Sequence, residues 1–375
     1  MKGKAKMDLK NNIKNSVKNG CDFMVNFSDR KKIRLLQITD MQVIDSWQRR
    51  TFDRIRIDEI NAWSPENFDI QCGNHIRSLI TQTNPDLIFI TGDMVYGSFD
   101  DKGTTFEWFC NLMDLFKIPW APVFGNHDNE TKKGVAWQCE QLEKSKYCLF
   151  KRGAVSGNSN YSVGICINDK LTRVIHMVDS NGCSNSEDPD VIKTAGIYQD
   201  QLEDIKKKTQ LIQNAYGEKV PSFMAFHIPV DEFEKAEINS GYKTDSREFY
   251  NIGVDVPQKN GDFGFKHKKY IPIKTNSDFL DTLKECGVDG VFAGHHHSIC
   301  TSIAYEGIRW TFGLKTGQYD YHVPGQLGGT LIELENSSFE IRHIPSLVHY
   351  APMPGSSIIF DNFFAEDKKI LKDSY

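Results

Sequence analysis

The tetrapeptide Gly125-Asn126-His127-Asp128 places three side chains suited to metal binding or proton transfer at consecutive positions. It follows an apolar run, Trp120–Phe124, that predicts a short buried strand. Gly-Asn-His is also common in turns, and Asp128 could cap a following helix. The tetrapeptide by itself therefore leaves both a structural and a functional interpretation open.

Four other apolar runs end in groups of the same kind. These groups are Asp40, Asp93, His227 and the triplet His295-His296-His297. Taken singly, each has an ordinary explanation, because an aspartate after a strand is commonly a turn residue and a histidine there is commonly a core residue. Five strand ends that together carry carboxylates and imidazoles are instead typical of a site for two first-row metals.

The elements that must position these groups alternate between strands and helices. In the first half, the pattern predicts strands over 33–39, 86–91 and 120–124, separated by helices over 74–83 and 104–116. Such alternation indicates parallel strands joined by right-handed crossovers. Open α/β sheets place their sites at the carboxyl ends of such strands, where the candidate groups lie.

The second half repeats this alternation and then changes to strands alone. Its predicted elements are a hairpin over 161–179, a helix over 197–212, a strand over 222–226, a helix over 276–286, a strand over 288–293 and four strands of antiparallel type between 299 and 344. No linker divides the two halves, so we expect one α/β domain of two packed sheets with helices outside.

The domain is expected to span residues 33–345. Polar segments without apolar periodicity flank or interrupt it, and they are an N-terminal arm over 1–32, a long loop over 45–70, an insertion over 237–272 and a C-terminal tail over 346–375.

Composition argues against two classes of partner. The formal net charge of −5 provides no global positive field for nucleic acid. No apolar stretch approaches the length of a membrane span, and the first residues do not resemble an export signal. The nine cysteines include no Cys-x-x-Cys pair, which favours reduced thiols. We therefore expect a cytoplasmic protein with no membrane and no nucleic-acid partner.

The five groups resemble the sequence blocks of a known family, the calcineurin-like metallophosphoesterases. The matching blocks are, in order, Asp40-x-Gln42, Gly92-Asp93, Gly125-Asn126-His127-Asp128, His227 and Gly294-His295-x-His297. The resemblance implies a four-layer α/β/β/α sandwich. It also implies a hydrolase with two metal ions about 3.5–4 Å apart, which clamp phosphoryl oxygens and turn a bound water into hydroxide.

The resemblance further implies which residues hold the metal ions. Asp93 would bridge both ions. The other ligands would be Asp40 and His297 for the first metal, and Asn126, His227 and His295 for the second.

Two residues of the tetrapeptide would act without binding metal. His127 matches the residue that faces the leaving oxygen and protonates it or stabilises its charge. Asp128 would orient or charge that imidazole, although helix capping accounts for it equally well.

The first block departs from the family pattern. Most members have Asp-x-His, whereas this chain has Gln42 in place of the histidine. Tyr96, three residues after Asp93, resembles the purple acid phosphatase branch, in which tyrosine completes the first metal site. Because the phenol of tyrosine has an unperturbed pKa of about 10, a phenolate ligand is best supported by a strongly Lewis-acidic ion such as Fe³⁺. The second ion would then be Fe²⁺, Mn²⁺ or Zn²⁺. Alternatively, Tyr96 packs as an aromatic residue and Gln42 offers its carbonyl oxygen.

We therefore expect a dinuclear metal-dependent phosphoric ester hydrolase, in which a metal-bound hydroxide attacks phosphorus in line. A small phosphomonoester is the favoured substrate, and a nucleotide or lipid-headgroup phosphodiester is the alternative. An alternative of another class is a binding scaffold without turnover. The retention of His127 and a full ligand set argues against that scaffold.

Overall fold

The computed structural model describes residues 19–45, 68–241, 261–266, 270–320, 322–323, 326–335 and 337–347. Most of the predicted loop over 45–70 and most of the insertion over 237–272 lie outside these residues. So does almost all of the tail over 346–375.

Twelve strands and six α-helices make up the described fold. The strands are β1 (Phe23–Phe27), β2 (Lys32–Ile38), β3 (Leu87–Thr91), β4 (Trp120–Val123), β5 (Tyr161–Ile167), β6 (Lys170–Met177), β7 (Ser222–Ala225), β8 (Val288–Ala293), β9 (Ser302–Tyr305), β10 (Ile308–Phe312), β11 (Gly328–Glu335) and β12 (Ser338–Pro345). The helices are α1 (Phe68–Thr83), α2 (Thr104–Leu115), α3 (Val135–Lys144), α4 (Gln199–Tyr216), α5 (Asp231–Asn239) and α6 (Phe279–Glu285).

The strands form two mixed sheets. The larger has the order β1-β5-β6-β7-β8-β10-β9 and the smaller the order β12-β11-β2-β3-β4. Strands β2, β3 and β4 are parallel, as the alternation of strands and helices predicted. Strands β6, β7, β8 and β10 are parallel as well. The carboxyl ends of these central strands carry the candidate site residues.

The two sheets pack against each other and helices cover their outer faces. Phe89 of β3 meets Phe292 of β8 edge-on at 5.4 Å between ring centroids, and Phe223 of β7 meets Phe292 at 5.1 Å. On the outside, α1 packs on β11, while α5 and α6 pack on β9 and β8. Strand β3 is buried along its whole length, because both of its faces are covered. The predicted α/β class with two sheets and outer helices is confirmed.

Two sequence-based boundaries differ in the structure. The arm over 1–32 is too long, because Phe23–Phe27 forms β1 and pairs in parallel with β5. Its alternation of buried Val25 and Phe27 with polar Asn26 is too short to stand out beside a Lys- and Asn-rich segment. The insertion begins later than residue 237, because α5 continues to Asn239 and buries Glu237 completely.

The last four strands do not form one antiparallel run. Strands β9 and β10 extend the larger sheet, whereas β11 and β12 join the smaller sheet through an antiparallel pairing of β11 with β2. The predicted hairpin of β5 and β6 is confirmed, and Asn168 and Asp169 turn it with positive φ angles of 50° and 64°. None of the described helices combines the length and the apolar character needed to cross a bilayer.

Candidate metal centre

The candidate ligands converge from both sheets. Asp40, Asp93 and Asn126 follow β2, β3 and β4 of the smaller sheet, while His227 and His295 follow β7 and β8 of the larger sheet. Asp40 and Asp93 leave their strands with φ of 53°, and His295 has φ of 72°. Such left-handed backbone costs about 1–3 kcal/mol at a non-glycine residue, so the surrounding structure must hold these side chains in place.

A first group of ligand atoms joins Asp93, His227 and His295, whose atoms all lie within 4.8 Å of one another. Nε2 of His227 lies 3.2 Å from Asp93 Oδ2, 3.2 Å from Asn126 Oδ1 and 3.3 Å from Nδ1 of His295. The opposite nitrogen of His227 donates to the carbonyl oxygen of Thr91 at 2.7 Å. This hydrogen bond leaves Nε2 free to act as a ligand.

A second group joins Asp40, Asp93 and His297 within the same 4.8 Å limit. Nε2 of His297 lies 3.2 Å from Asp40 Oδ1, and its Nδ1 faces Asp320 at 3.6 Å. A carboxylate behind a ligating imidazole orients the ring and raises its basicity. Because Asp93 belongs to both groups, its carboxylate is placed to bridge two ions.

Two glycines let the backbone approach these side chains closely. At Gly92, φ is +86° and a Cβ would lie 2.6 Å from Nδ1 of His227. At Gly125, a Cβ would collide with Oδ1 of Asp93. Larger residues at either position would therefore displace a ligand.

The electrostatics of the site favour bound positive charge. Burial opposes ionisation of Asp93, but His227 and His127 outweigh it and lower the pKa of Asp93 to about 2. Burial also opposes a charged His227, yet Asp93 and Asp40 raise the pKa of His227 to about 9. Burial and the neighbouring His227 lower the pKa of His295 to about 3. Carboxylates, imidazoles and an amide oxygen that converge in this way fit a pair of divalent first-row cations.

His127 lies beside the bridging carboxylate. Its backbone N–H donates to Asp93 Oδ1 at 2.9 Å, and its Nδ1 lies 3.0 Å from Glu130 Oε2. The imidazole retains 16% of its exposure. Burial lowers the pKa of His127, but Asp93 and Glu130 outweigh burial and raise it to about 9.

Asp128 braces the loop that carries His127. Its carboxylate accepts hydrogen bonds from the backbone N–H of Gly125 at 2.8 Å and of Val95 at 3.0 Å. The carboxylate against the His127 ring is that of Glu130, which the sequence reasoning missed. Its position three residues after His127 was the available signal, because that spacing places two side chains on one side of a helical turn.

Tyr96 and Gln42 are the two residues that could complete the first metal site. The ring of Tyr96 stacks on that of His127, with centroids 4.0 Å apart and planes inclined by 33°. Gln42 donates from Nε2 to Asp93 Oδ2 at 3.2 Å, and its Oε1 accepts from Lys315 at 2.7 Å. Lys315 and Asp320 were both missed, because neither belongs to one of the five sequence blocks. The assignment of Tyr96 as a ligand stays a prediction.

The sequence of this chain matches a family model over most of its length. The model describes the calcineurin-like phosphoesterases and matches residues 33–298. The chain belongs to this family. The predicted metallophosphoesterase, an enzyme that hydrolyses phosphoric esters, is thereby confirmed, and membership implies a divalent metal pair.

Curated relatives include members of the purple acid phosphatase branch. Probable inactive purple acid phosphatase 29 of Arabidopsis thaliana is 24% identical over 324 residues, which span 80% of this chain and 75% of the plant protein. Phosphatase DCR2 of Saccharomyces cerevisiae is 26% identical over 290 residues, which span 72% of this chain and 45% of the yeast protein. The predicted resemblance to purple acid phosphatases is confirmed by the Arabidopsis thaliana relative.

Solved structures are similar at lower identity. A dimetal phosphatase from Danio rerio is 12% identical, with a TM-score of 0.47, and the match covers 84% of this chain and 97% of that one. Purple acid phosphatase PPD1 from yellow lupin is also 12% identical, with a TM-score of 0.46, and the match covers 86% of this chain and 53% of that one.

Proposed function

We propose that this chain hydrolyses phosphoric monoesters with two metal ions held by the two ligand groups that share Asp93. The observation that carries the proposal is the position of His127 beside that shared carboxylate, with its ring held by Glu130. When bound, such a pair of ions polarises the phosphoryl oxygens and lowers the pKa of a coordinated water.

His127 is the proton donor in this proposal. Glu130 places a carboxylate against the ring and favours the protonated imidazole, which can protonate the leaving oxygen of the ester. Glu130 fixes the direction of the ring, and Asp128 fixes the loop below it through Gly125 and Val95. The partial exposure of His127 allows a small phosphorylated substrate to reach it.

We propose two divalent ions, drawn from Fe²⁺, Mn²⁺ and Zn²⁺, rather than a pair containing Fe³⁺. The stacking of Tyr96 on His127 supports this choice, because it fits the interpretation of Tyr96 as a packed aromatic residue rather than a phenolate ligand. Iron-loaded wild-type protein should then be colourless. A broad visible charge-transfer band that Tyr96→Phe abolishes would contradict the proposal and support a phenolate on Fe³⁺.

The test of catalysis is hydrolysis of a chromogenic monoester and a chromogenic diester with added Mn²⁺ or Fe²⁺. Wild-type protein should hydrolyse the monoester faster, and His127→Ala should lower kcat by about 10²–10⁴-fold. Equal rates for wild type and His127→Ala would refute the role of the histidine. Faster turnover of the diester would support the phosphodiesterase alternative, for which nucleotide and lipid-headgroup esters are the next substrates to assay.

A binding scaffold without turnover is the second candidate. The names of two relatives of this chain favour this candidate, because these Arabidopsis thaliana proteins are called probable inactive purple acid phosphatases. Metal-loaded wild-type protein that binds inorganic phosphate but hydrolyses neither ester would support this candidate and contradict the hydrolase.

We also propose a reducing compartment, the cytoplasm. All nine cysteines lie within the described residues, and none of them forms a disulfide bond there. Native protein from its source cell should give nine thiols on titration under denaturing conditions, and a tagged chain should fractionate with the cytosol. Recovery of the tagged chain in the secreted fraction would contradict this proposal.

A further inference from the structure

A buried lysine lies beside the second group of ligands, which is formed by Asp40, Asp93 and His297. Lys315 follows β10 and is only 3% exposed. Its Nζ donates to the backbone carbonyl oxygen of Asp40 at 2.8 Å and to Oε1 of Gln42 at 2.7 Å. Burial lowers the pKa of Lys315, but the neighbouring Asp40 and Asp320 favour its ammonium form, which places a positive charge next to a position expected to take a cation.

Gln42 connects Lys315 to the carboxylate of Asp93 through two hydrogen bonds. Its amide group accepts from Lys315 at one end and donates to Asp93 Oδ2 at the other, at 3.2 Å. Its backbone N–H donates to the carbonyl oxygen of Asp93 at 2.8 Å, which holds the residue at φ of 47°. The Asp93 carboxylate therefore faces the side-chain N–H group of Gln42 on this side. The side-chain oxygen of Gln42 is already bonded to Lys315.

The carboxylate of Asp40 is also supplied with hydrogen-bond donors. The backbone N–H of His295 donates to Oδ2 at 3.0 Å and to Oδ1 at 3.2 Å, and the hydroxyl of Thr39 donates to Oδ2 at 2.7 Å. By contrast, the group formed by Asp93, His227 and His295 includes the oxygen of Asn126 and a His227 nitrogen that no backbone group occupies. The two positions thus share Asp93, but the side chain of Lys315 lies against the second position.

We propose that Lys315 and Gln42 make the two metal positions unequal. The position formed by Asp93, His227 and His295 binds its ion tightly, whereas the position formed by Asp40, Asp93 and His297 binds weakly and exchanges. The ammonium group repels a second dication and supplies part of the positive charge that the ion would bring. This inference rests on the metal pair of the proposed function, and it makes Lys315 a positioning residue that sets metal stoichiometry.

Metal binding tests the inference without any measurement of turnover. Wild-type protein is stripped with a chelator, desalted and titrated calorimetrically with Mn²⁺ alone, and its metal content is measured after a second desalting. We expect about one Mn²⁺ per chain to remain, with a second event weaker by at least about tenfold, as Coulomb repulsion from one buried charge implies. At one equivalent, the electron paramagnetic resonance spectrum should be that of an isolated Mn²⁺.

Three variants assign the effect to the charge of Lys315. Lys315→Met removes the charge, and Lys315→Gln removes it while keeping hydrogen-bonding groups toward Gln42. Both should strengthen the weak event by at least about tenfold and change the tight event by less than about threefold. Lys284→Met removes the same charge from an ion pair with Glu306 that is remote from the site, and it should leave both events unchanged.

Two wild-type results would overturn the inference. Two binding events of equal affinity, with exchange-coupled Mn²⁺ at two equivalents, would refute it and leave the proposed function intact. A chain that binds no Mn²⁺ would refute both the inference and the metal-dependent function. Because both results come from the wild-type chain, they decide the question even if the Lys315 variants fail to fold.

Discussion

Replacing Gly92 with alanine separates backbone strain from displacement of a metal ligand. Gly92 combines a φ of +86° with an approach to His227, whose Nδ1 would lie 2.6 Å from the new Cβ. Gly307 is a matched control, because its φ is +81° and no atom lies within 4 Å of its Cβ position. Both substitutions impose the left-handed penalty on alanine, but only Gly92→Ala pushes on the histidine.

The expected magnitudes follow from these contacts. Gly307→Ala should lower the free energy of unfolding by about 1–2 kcal/mol, the cost of a left-handed L-residue. Gly92→Ala should add about 1–3 kcal/mol for overpacking and about 1 kcal/mol for the hydrogen bond from His227 to Thr91. The difference between the two variants should therefore be about 2–4 kcal/mol.

Urea denaturation in the presence of a chelator measures that difference, because chelation removes any contribution from bound ions. Mn²⁺ titration of the same two variants measures the consequence for the site, and only Gly92→Ala should weaken the tight event. If the two alanine variants have equal free energies of unfolding, or if both retain wild-type Mn²⁺ affinity, the reasoning from the His227 contact is wrong.

Three further outcomes are expected. Replacing Glu130 with glutamine should shift the alkaline limb of the pH–rate profile to lower pH by about one pH unit. The reason is that one of the carboxylates that raise the pKa of His127 loses its charge. An unchanged alkaline limb would contradict this expectation. Burial opposes ionisation of Asp22, but Lys208 and Lys151 outweigh it and lower its pKa, so its stabilising contribution should be present above pH 4 and lost as the pH falls further. Unfolding measured from pH 7 to pH 3 should show that loss in wild type and not in Asp22→Asn, which should itself cost about 1–3 kcal/mol at pH 7. Removal of metal with a chelator should lower the free energy of unfolding by about 3 kcal/mol relative to protein in Mn²⁺ at 100 times its Kd, and equal stability in both conditions would argue against a specific site.

The positions of the ligands were predictable because they depend on a short-range rule. Asp40, Asp93, Asn126, His227 and His295 each follow an apolar run, and the carboxyl ends of parallel strands lie together whatever the order of the strands in the sheet. The sequence could therefore indicate convergence without any knowledge of the distances. The alternation of strands and helices favoured the parallel pairing of the strands that carry these residues.

The missed contacts depend on long-range packing that no local pattern encodes. Lys315 meets Gln42 from a segment 273 residues away, and β1 pairs with a strand more than 130 residues later in the chain. A lysine after an apolar strand is usually a solvent-exposed residue, so its burial is visible only in three dimensions. The stacking of Tyr96 on His127 illustrates the same limit, because the spacing of Tyr96 from Asp93 gives no sign of that contact.

The division of the ligands between two sheets affects the order of events during synthesis. Asp40 and His297 contact each other across 256 intervening residues, and the larger sheet cannot supply His227 or His295 until most of the chain has left the ribosome. Asp40, Asp93 and the Gly125–Asp128 turn are therefore synthesised before the histidines that contact them. Contacts between residues so far apart in the sequence form late in folding. We therefore expect both ligand groups to be complete for metal binding only after the larger sheet has formed.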